Sequence, residues 1–111
     1  MSRSLTSISL AAFCGLALLS TMGCSDREDR ARVAFDRYQS ANVRGDLPEA
    51  KRALQSLVVI DDTNPEYWAE LGRVSLQTGD VGEAYEGYLR AHELDRDNVS
   101  YLTLLTQLTL R

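Results

Sequence analysis

The chain has 111 residues, the length of one small domain, since domains usually run to about 100 to 200 residues. Its 16 acidic residues outnumber its 12 Lys and Arg residues, and the net charge of −4 disfavours nucleic acid as a partner, because binding to phosphates needs surplus positive charge. With 44% hydrophobic and 25% charged residues, the composition is typical of a globular chain and excludes a disordered or disulfide-rich one.

The N-terminal segment has a different composition from the rest of the chain. A basic start at residues 1–4 is followed by an apolar stretch at residues 5–19 and by small residues up to Gly23, which is the order of a secretory signal peptide. No charge occurs between Arg3 and Asp26. Because this stretch is also long enough to cross a bilayer of about 30 Å, a retained transmembrane anchor is the competing interpretation.

Cys24 lies at the end of this segment. Cys14 would be removed with the signal, so Cys24 would be the lone cysteine of an exported chain. Its place directly after Gly23 resembles the lipobox of bacterial lipoproteins, with Thr21 where that motif usually has Leu. The resemblance implies removal of residues 1–23 and attachment of diacylglycerol to the sulfur of Cys24, which anchors the protein to a membrane.

The lipoprotein resemblance also implies a cellular address. In that family an Asp directly after the lipidated Cys favours inner-membrane retention, and Ser25 stands there instead. We therefore expect a lipid-anchored protein of the bacterial cell envelope that faces the periplasm, with the outer membrane favoured over the inner membrane. The alternatives are the uncleaved anchor, or ordinary cleavage that leaves a free thiol on Cys24.

The chain after this segment repeats itself at a constant interval, which is the distance in sequence from Gly45 to Gly79. The identities at this offset are Gly45/Gly79, Asp46/Asp80, Glu49/Glu83, Ala50/Ala84, Asp61/Asp95, Asn64/Asn98 and Tyr67/Tyr101. A period of about 34 residues is typical of the tetratricopeptide repeat, a helix-turn-helix unit.

Helix start and stop signals agree with this period. Gly45 and Gly79 suit the left-handed conformation that ends a helix, and each is followed by an Asp cap with Glu three residues later, the pattern of a capping box. Asn64 and Asn98 are further N-caps. With the apolar spacing, these signals predict helices at residues 27–43, 47–60, 65–77, 81–95 and 99–110.

The second unit resembles the tetratricopeptide repeat family most closely. It carries Trp68-x-x-Leu71-Gly72, followed by Ala84, Tyr88 and Ala91 at the spacing of the family pattern. The resemblance implies an all-α, short helical-hairpin solenoid of about five antiparallel helices. The predicted organisation is a signal peptide at 1–23, a short tether at 24–30, and a domain at 31–111 made of repeats 31–64 and 65–98 and a C-terminal helix 99–111.

The sequence lacks the residue sets that catalysis or metal binding would need. His92 is the only histidine, and no nucleophile is placed beside it by an evident motif. After export one Cys and one His would remain, too few for a metal site of that type. We therefore expect neither an enzyme nor a bound cofactor or metal.

The family resemblance also implies a concave surface, lined by the first helix of each pair. The family's inward positions carry over to Arg32, Phe35, Asp36, Gln39, Asn42, Val43, Glu66, Ala69, Glu70, Arg73, Leu76 and Gln77. The residues that we expect to contact a bound protein are Phe35, Gln39, Asn42, Glu70, Arg73 and Gln77. Among them, Phe35 would be an apolar anchor and Arg73 the partner of a carboxylate.

The C-terminal helix is apolar around much of its circumference. Leu104 and Leu108 lie four residues apart, and we expect them to form an exposed stripe and an interface. The leading expectation for function is a protein-protein interaction adaptor or assembly factor that binds another envelope protein or a peptide segment. The alternative is a structural envelope protein that self-associates as a homodimer through this helix.

The lipid anchor can be tested directly. Cys24→Ala should abolish the acyl mass of the mature protein and block its normal processing, because the acceptor sulfur is gone. Mass spectrometry of the intact product measures both effects. An unchanged mass would reject lipidation.

Overall fold

The computed structural model describes residues 25–110, and all regular secondary structure among them is helical. The helices are α1 at residues 25–44, α2 at Leu47–Ile60, α3 at Pro65–Gln77, α4 at Val81–Leu94 and α5 at Val99–Thr109. The chain divides into two units, Met1–Arg30 and Ala31–Arg111. Of the first unit, residues 25–30 are described, and they are helical and exposed.

These helices confirm the predicted all-α helical-hairpin fold. The bounds of α2 and α3 match the predicted ones, whereas α1 already includes residues 25–26, within the predicted tether. The fourth helix ends one residue early because Asp95 leaves the helical conformation, with φ −137° and ψ 78°. The predictions for the signal segment, including lipid attachment at Cys24, lie outside the described residues.

Two Gly-Asp steps turn the chain from one helix of a pair to the other. Gly45 and Gly79 have φ values of 72° and 84°, in the left-handed region that glycine adopts without strain. At the second step, the Gly79 N–H donates to the Leu76 carbonyl at 3.2 Å, and the Asp80 N–H donates to the Ser75 carbonyl at 2.9 Å. This is the Schellman pattern, which satisfies the last carbonyls of the helix.

The second half of the predicted capping box is wrong. Asp80 Oδ1 accepts a hydrogen bond from the Glu83 N–H at 3.0 Å, as predicted. The return bond from the Glu83 side chain does not form, because the Asp80 N–H is already bonded to Ser75. The carboxylate of Glu83 is therefore free to bond elsewhere.

Glu83 uses its carboxylate to join α4 to the two preceding helices. It accepts hydrogen bonds from Lys51 Nζ at 2.6 Å, from Gln55 Nε2 at 2.7 Å, and from the buried Ser75 hydroxyl at 3.1 Å. Burial acts to raise the pKa of Glu83, but these three donors outweigh it and the pKa is lowered. The charged carboxylate thus fixes the register between the two hairpins.

α3 is the central helix, with apolar residues on both sides. On one side Leu71 and Val74 join a buried cluster with α1 and α2. On the other side Ala69 and Leu76 pack against a second cluster, formed by α4 and α5. Because each helix covers the apolar stripe of its neighbour, the core is built stepwise along the repeat.

α4 approaches α3 closely where the two helices cross at Gly87 and Gly72. A Cβ atom on Gly87 would lie 2.7 Å from the Trp68 carbonyl oxygen and 2.8 Å from the Gly72 nitrogen. A Cβ atom on Gly72 would lie 3.1 Å from the ring of Tyr88. The two backbones therefore touch without intervening side chains. This explains a glycine inside α4 that costs about 1 kcal/mol of helix propensity relative to Ala.

Gly87→Ala should lower the free energy of unfolding by about 1 to 3 kcal/mol, because the added methyl meets backbone atoms that cannot rotate away. Gly82→Ala in the same helix is the matched control, since the nearest neighbour of its Cβ would be Asp80 Oδ1 at 3.7 Å. We expect that variant to be unchanged or more stable by up to about 1 kcal/mol. Urea unfolding measures both, and equal effects would contradict the close crossing.

Candidate protein-binding groove

α1 and α3 are the first helices of their pairs. Together with α5 they line one groove. The groove contains a cavity of about 490 Å³. Its lining residues are Phe35, Tyr38 and Gln39 from α1, Glu66, Tyr67, Ala69 and Glu70 from α3, and Tyr101 from α5. Four of these eight residues are aromatic, so the cavity offers flat apolar surface with polar edges.

The aromatic rings form a continuous wall across α1 and α3. The Phe35 ring centroid lies 5.9 Å from that of Tyr38 and 5.9 Å from that of Tyr67, with both pairs tilted. Tyr38 and Tyr101 are buried, whereas Phe35 and Tyr67 are half-buried. The cavity lining thus combines two buried rings with two that remain partly accessible to a ligand.

Arg73 is the centre of a polar network beside this wall. Its Nε and Nη2 atoms donate to Glu70 Oε2 at 3.0 and 2.8 Å, and its Nη1 atom donates to Gln77 Oε1 at 3.0 Å. Its Nη2 atom also lies 3.1 Å from the Tyr38 hydroxyl oxygen and 3.4 Å from Asn42 Oδ1. The network therefore ties α1 to α3 with a single guanidinium group.

Glu70 completes the link between the network and the wall, because the Tyr38 hydroxyl donates to Glu70 Oε2. Burial acts to raise the pKa of Glu70, but the hydrogen bonds from Arg73 and Tyr38 outweigh it and the pKa is lowered. Burial and the bond to Glu70 together raise the pKa of Tyr38. Glu70 is thus held as a carboxylate and Tyr38 as a neutral phenol.

The groove carries a surplus of negative charge. Burial raises the pKa of the Tyr101 hydroxyl, and the nearby carboxylates of Asp95, Glu66 and Glu70 raise it further. Arg73 offsets the charge of Glu70, whereas Glu66 is exposed and forms no ion pair within residues 25–110. An uncompensated carboxylate therefore stands at the edge of the aromatic wall.

The structure brings the six candidate groove residues to one face. Phe35, Gln39 and Glu70 line the cavity. The remaining three candidates, Asn42, Arg73 and Gln77, are joined by the hydrogen bonds described above. Arg73 differs from its expected role, because it pairs with Glu70 of its own chain rather than awaiting a carboxylate from a ligand.

Sequence reasoning missed the three tyrosines of the groove. Tyr67 and Tyr101 are identical at the repeat offset, and both line the cavity. That identity was a signal for a shared face. Tyr38 gave no such signal, because its role depends on the position of Glu70, which lies 32 residues away in the sequence.

The expectation of an exposed stripe at Leu104 and Leu108 is wrong. Leu108 is only 9% exposed and belongs to the second core cluster, and Leu104 packs against that cluster. The exposed leucines of this segment are Leu102 and Leu110. The buried residues of this helix are Tyr101, Leu105 and Leu108, of which Leu105 and Leu108 belong to the second core cluster with Ala84 and Tyr88 of α4.

His92, the histidine considered above, lies near the end of α4. Its Nδ1 atom is buried and has no hydrogen-bond partner among residues 25–110. No group of three or more His, Cys, Asp or Glu residues in the described part of the chain is arranged to hold a metal ion. In the same part of the chain, no helix has both the length and the apolar character to cross a membrane.

No protein-family model matches this sequence, and no curated protein is significantly similar to it.

The lowered pKa of Glu70 predicts how the groove responds to acid. A carboxyl group whose folded pKa lies below its ordinary value of 4.5 stabilises the fold above that pH, and the contribution is lost as the pH falls through the folded pKa. Glu70→Gln lacks this titration, so its stability should fall less than that of the unsubstituted chain between neutral and strongly acid pH. Thermal unfolding across that range measures the difference.

The control for this experiment is Glu86→Gln, which changes an exposed carboxylate on α4. Because this substitution leaves the bonds from Arg73 and Tyr38 to Glu70 intact, the loss of stability in acid that Glu70 causes should remain. If the pH dependence of Glu70→Gln follows that of the unsubstituted chain, Glu70 is not held by Arg73 and Tyr38.

Proposed function

We propose that this chain is a protein-protein interaction adaptor whose groove, formed by α1, α3 and α5, binds a segment of another protein. The observation that carries the proposal is the cavity of about 490 Å³, in which four aromatic side chains stand beside carboxylates. Apolar anchors that enter such cavities commonly supply most of the binding energy of an interface. The network around Arg73 keeps the wall fixed, which lowers the entropy cost of binding.

The charge of the groove selects the chemistry of the ligand. Arg73 is already paired, so it offers little to a ligand carboxylate. Glu66 is exposed without an ion pair in residues 25–110, and it can accept a charge-assisted hydrogen bond. The ligand proposed here is a peptide segment with an apolar or aromatic side chain next to Lys or Arg.

The proposed fold family is the tetratricopeptide repeat. Its support, besides the residue pattern, is the repetition of the helix bounds. α2 at Leu47–Ile60 and α4 at Val81–Leu94 are offset by the same interval at both ends, and the starts of α3 and α5 at Pro65 and Val99 are offset by that interval too. The interval equals the period of the sequence repeat. Helix-turn-helix units of that length stack with their first helices on one side.

The proposed address is the bacterial cell envelope, with lipid on Cys24 and the domain facing the periplasm, at the outer membrane in preference to the inner one. The support for the address is the sequence of residues 1–25 alone. An adaptor in this position would bring a second envelope protein to the membrane surface. The proposed activity is binding and includes no catalytic step.

Photo-crosslinking tests the groove in the full chain. A photoreactive amino acid at Gln39, which lines the cavity, should capture a protein segment in the native envelope. The same group at Ser40 is the matched control, because Ser40 is exposed on a different side of α1 and lines no part of this cavity. Equal products at both positions, or products with lipid only, would contradict the proposal.

The charge of the ligand is tested by reversing the charge of the groove. Glu66→Lys should weaken binding of the captured segment about tenfold, since an attraction becomes a repulsion. Glu86→Lys, on the exposed side of α4, makes the same change of charge outside the groove and should leave binding unchanged. Tighter binding of Glu66→Lys would reverse the proposed ligand chemistry.

A further inference from the structure

A second surface, on α5, repeats a helix contact that is already made inside the fold. The face of α3 that carries Trp68, Gly72 and Ser75 is covered by α4, through the glycine crossing and the Ser75 bond to Glu83. The corresponding positions one repeat later are Leu102, Thr106 and Thr109 on α5. Within residues 25–110 no helix covers them: Leu102 is 50% exposed, and both threonines are exposed.

The uncovered face is apolar, although it includes threonines. The Thr106 hydroxyl donates to the Leu102 carbonyl and the Thr109 hydroxyl to the Thr106 carbonyl, both at 2.9 Å. Their hydroxyl protons are therefore satisfied within the helix. The threonines then present methyl groups beside the side chain of Leu102.

The neighbouring residues of α4 extend this apolar face. At the covered junction, Lys51 and Gln55 of α2 reach forward to the carboxylate of Glu83. The residues that correspond to them one repeat later are Tyr85 and Leu89. Tyr85 is exposed and Leu89 is partly buried. The charged contact that joins the first hairpin to the second is thus replaced by apolar side chains at the uncovered face.

Charge points to a second copy of this chain as the occupant. No charged residue occurs at positions 99–110, so the net charge of −4 is carried by the rest of the chain and disfavours contacts between copies that bring those residues together. A two-fold axis perpendicular to α5 would pair two such helices antiparallel, which is also the relation of consecutive helices in each hairpin. An uncharged face meets itself without repulsion.

We propose that two copies of this chain associate through antiparallel pairing of their α5 helices, with Leu102, Thr106 and Thr109 at the contact and Thr106 nearest the axis. Tyr101 faces the groove, so pairing on the exposed side of α5 leaves the groove open. The small size of one helix face predicts a weak dimer that dissociates in the micromolar range. This proposal does not rest on the function of the groove.

Disulfide trapping in the full chain tests the pairing. Thr106→Cys should form a reducible dimer under mild oxidation, because two residues near the axis of a tight helix pair come within disulfide distance. Ser40→Cys, exposed on α1, and the unsubstituted chain retain the same native cysteines and should show only background dimer. Linkage of Thr106→Cys to a different protein, or no dimer above background, would overturn the second copy as occupant.

Sedimentation equilibrium of the full chain in density-matched detergent supplies a second readout. Leu102→Glu should raise the dimer dissociation constant at least about tenfold, since it places carboxylates in the apolar contact. Val59→Glu, at a position on α2 that is 83% exposed, should leave it unchanged. Circular dichroism verifies that both variants remain helical. Unchanged association of folded Leu102→Glu would overturn the pairing, whatever the groove binds.

Discussion

The direct contact between the backbones of α3 and α4 is the constraint on which the other features depend. Gly87 and Gly72 let the two helices approach until main-chain atoms touch. At that separation Ser75 reaches Glu83, and Glu83 in turn reaches Lys51 of the first hairpin. The backbone contact between α3 and α4 and the carboxylate of Glu83 therefore together fix the register of the second hairpin relative to the first.

The groove is a consequence of that register. Once the hairpins are aligned, α1, α3 and α5 present their side chains on the same face, and rings from three helices line one cavity. Arg73 occupies the polar side of this face and neutralises Glu70, which leaves Glu66 as the exposed charge. Among residues 25–110, the same stacking leaves the opposite side of α5 uncovered. Groove and uncovered face are thus two results of one repeated packing step.

Much of the fold could be predicted from the sequence, because residues close to each helix end determine where the helix begins or stops. Gly79 and Asp80 end one helix and cap the next through bonds within a few residues, and the Asn caps act in the same way. The groove could be predicted only in part. The bond from Tyr38 to Glu70 joins different hairpins, and no local pattern indicates it.

The orientation of α5 shows the limit of apolar periodicity. α5 has leucines around most of its circumference, so several stripes are equally apolar. Hydropathy alone therefore led to the wrong prediction that Leu104 and Leu108 form the exposed stripe. Comparison of α5 with the corresponding positions of α3 indicates its buried face correctly. Leu108 corresponds to Val74, which is fully buried one repeat earlier, and Leu102 corresponds to the covered position of Trp68. The phase of a repeat fixes a face that composition leaves open.

The two hairpins stack in register and thereby bring rings of α1 and α3 to one wall. Nuclear Overhauser contacts in the isotopically labelled full chain test this stacking. We expect cross-peaks between the rings of Phe35 and Tyr67, whose centroids lie 5.9 Å apart, and between the α-protons of Gly72 and Gly87. Well-formed helices without these cross-peaks would contradict this stacking.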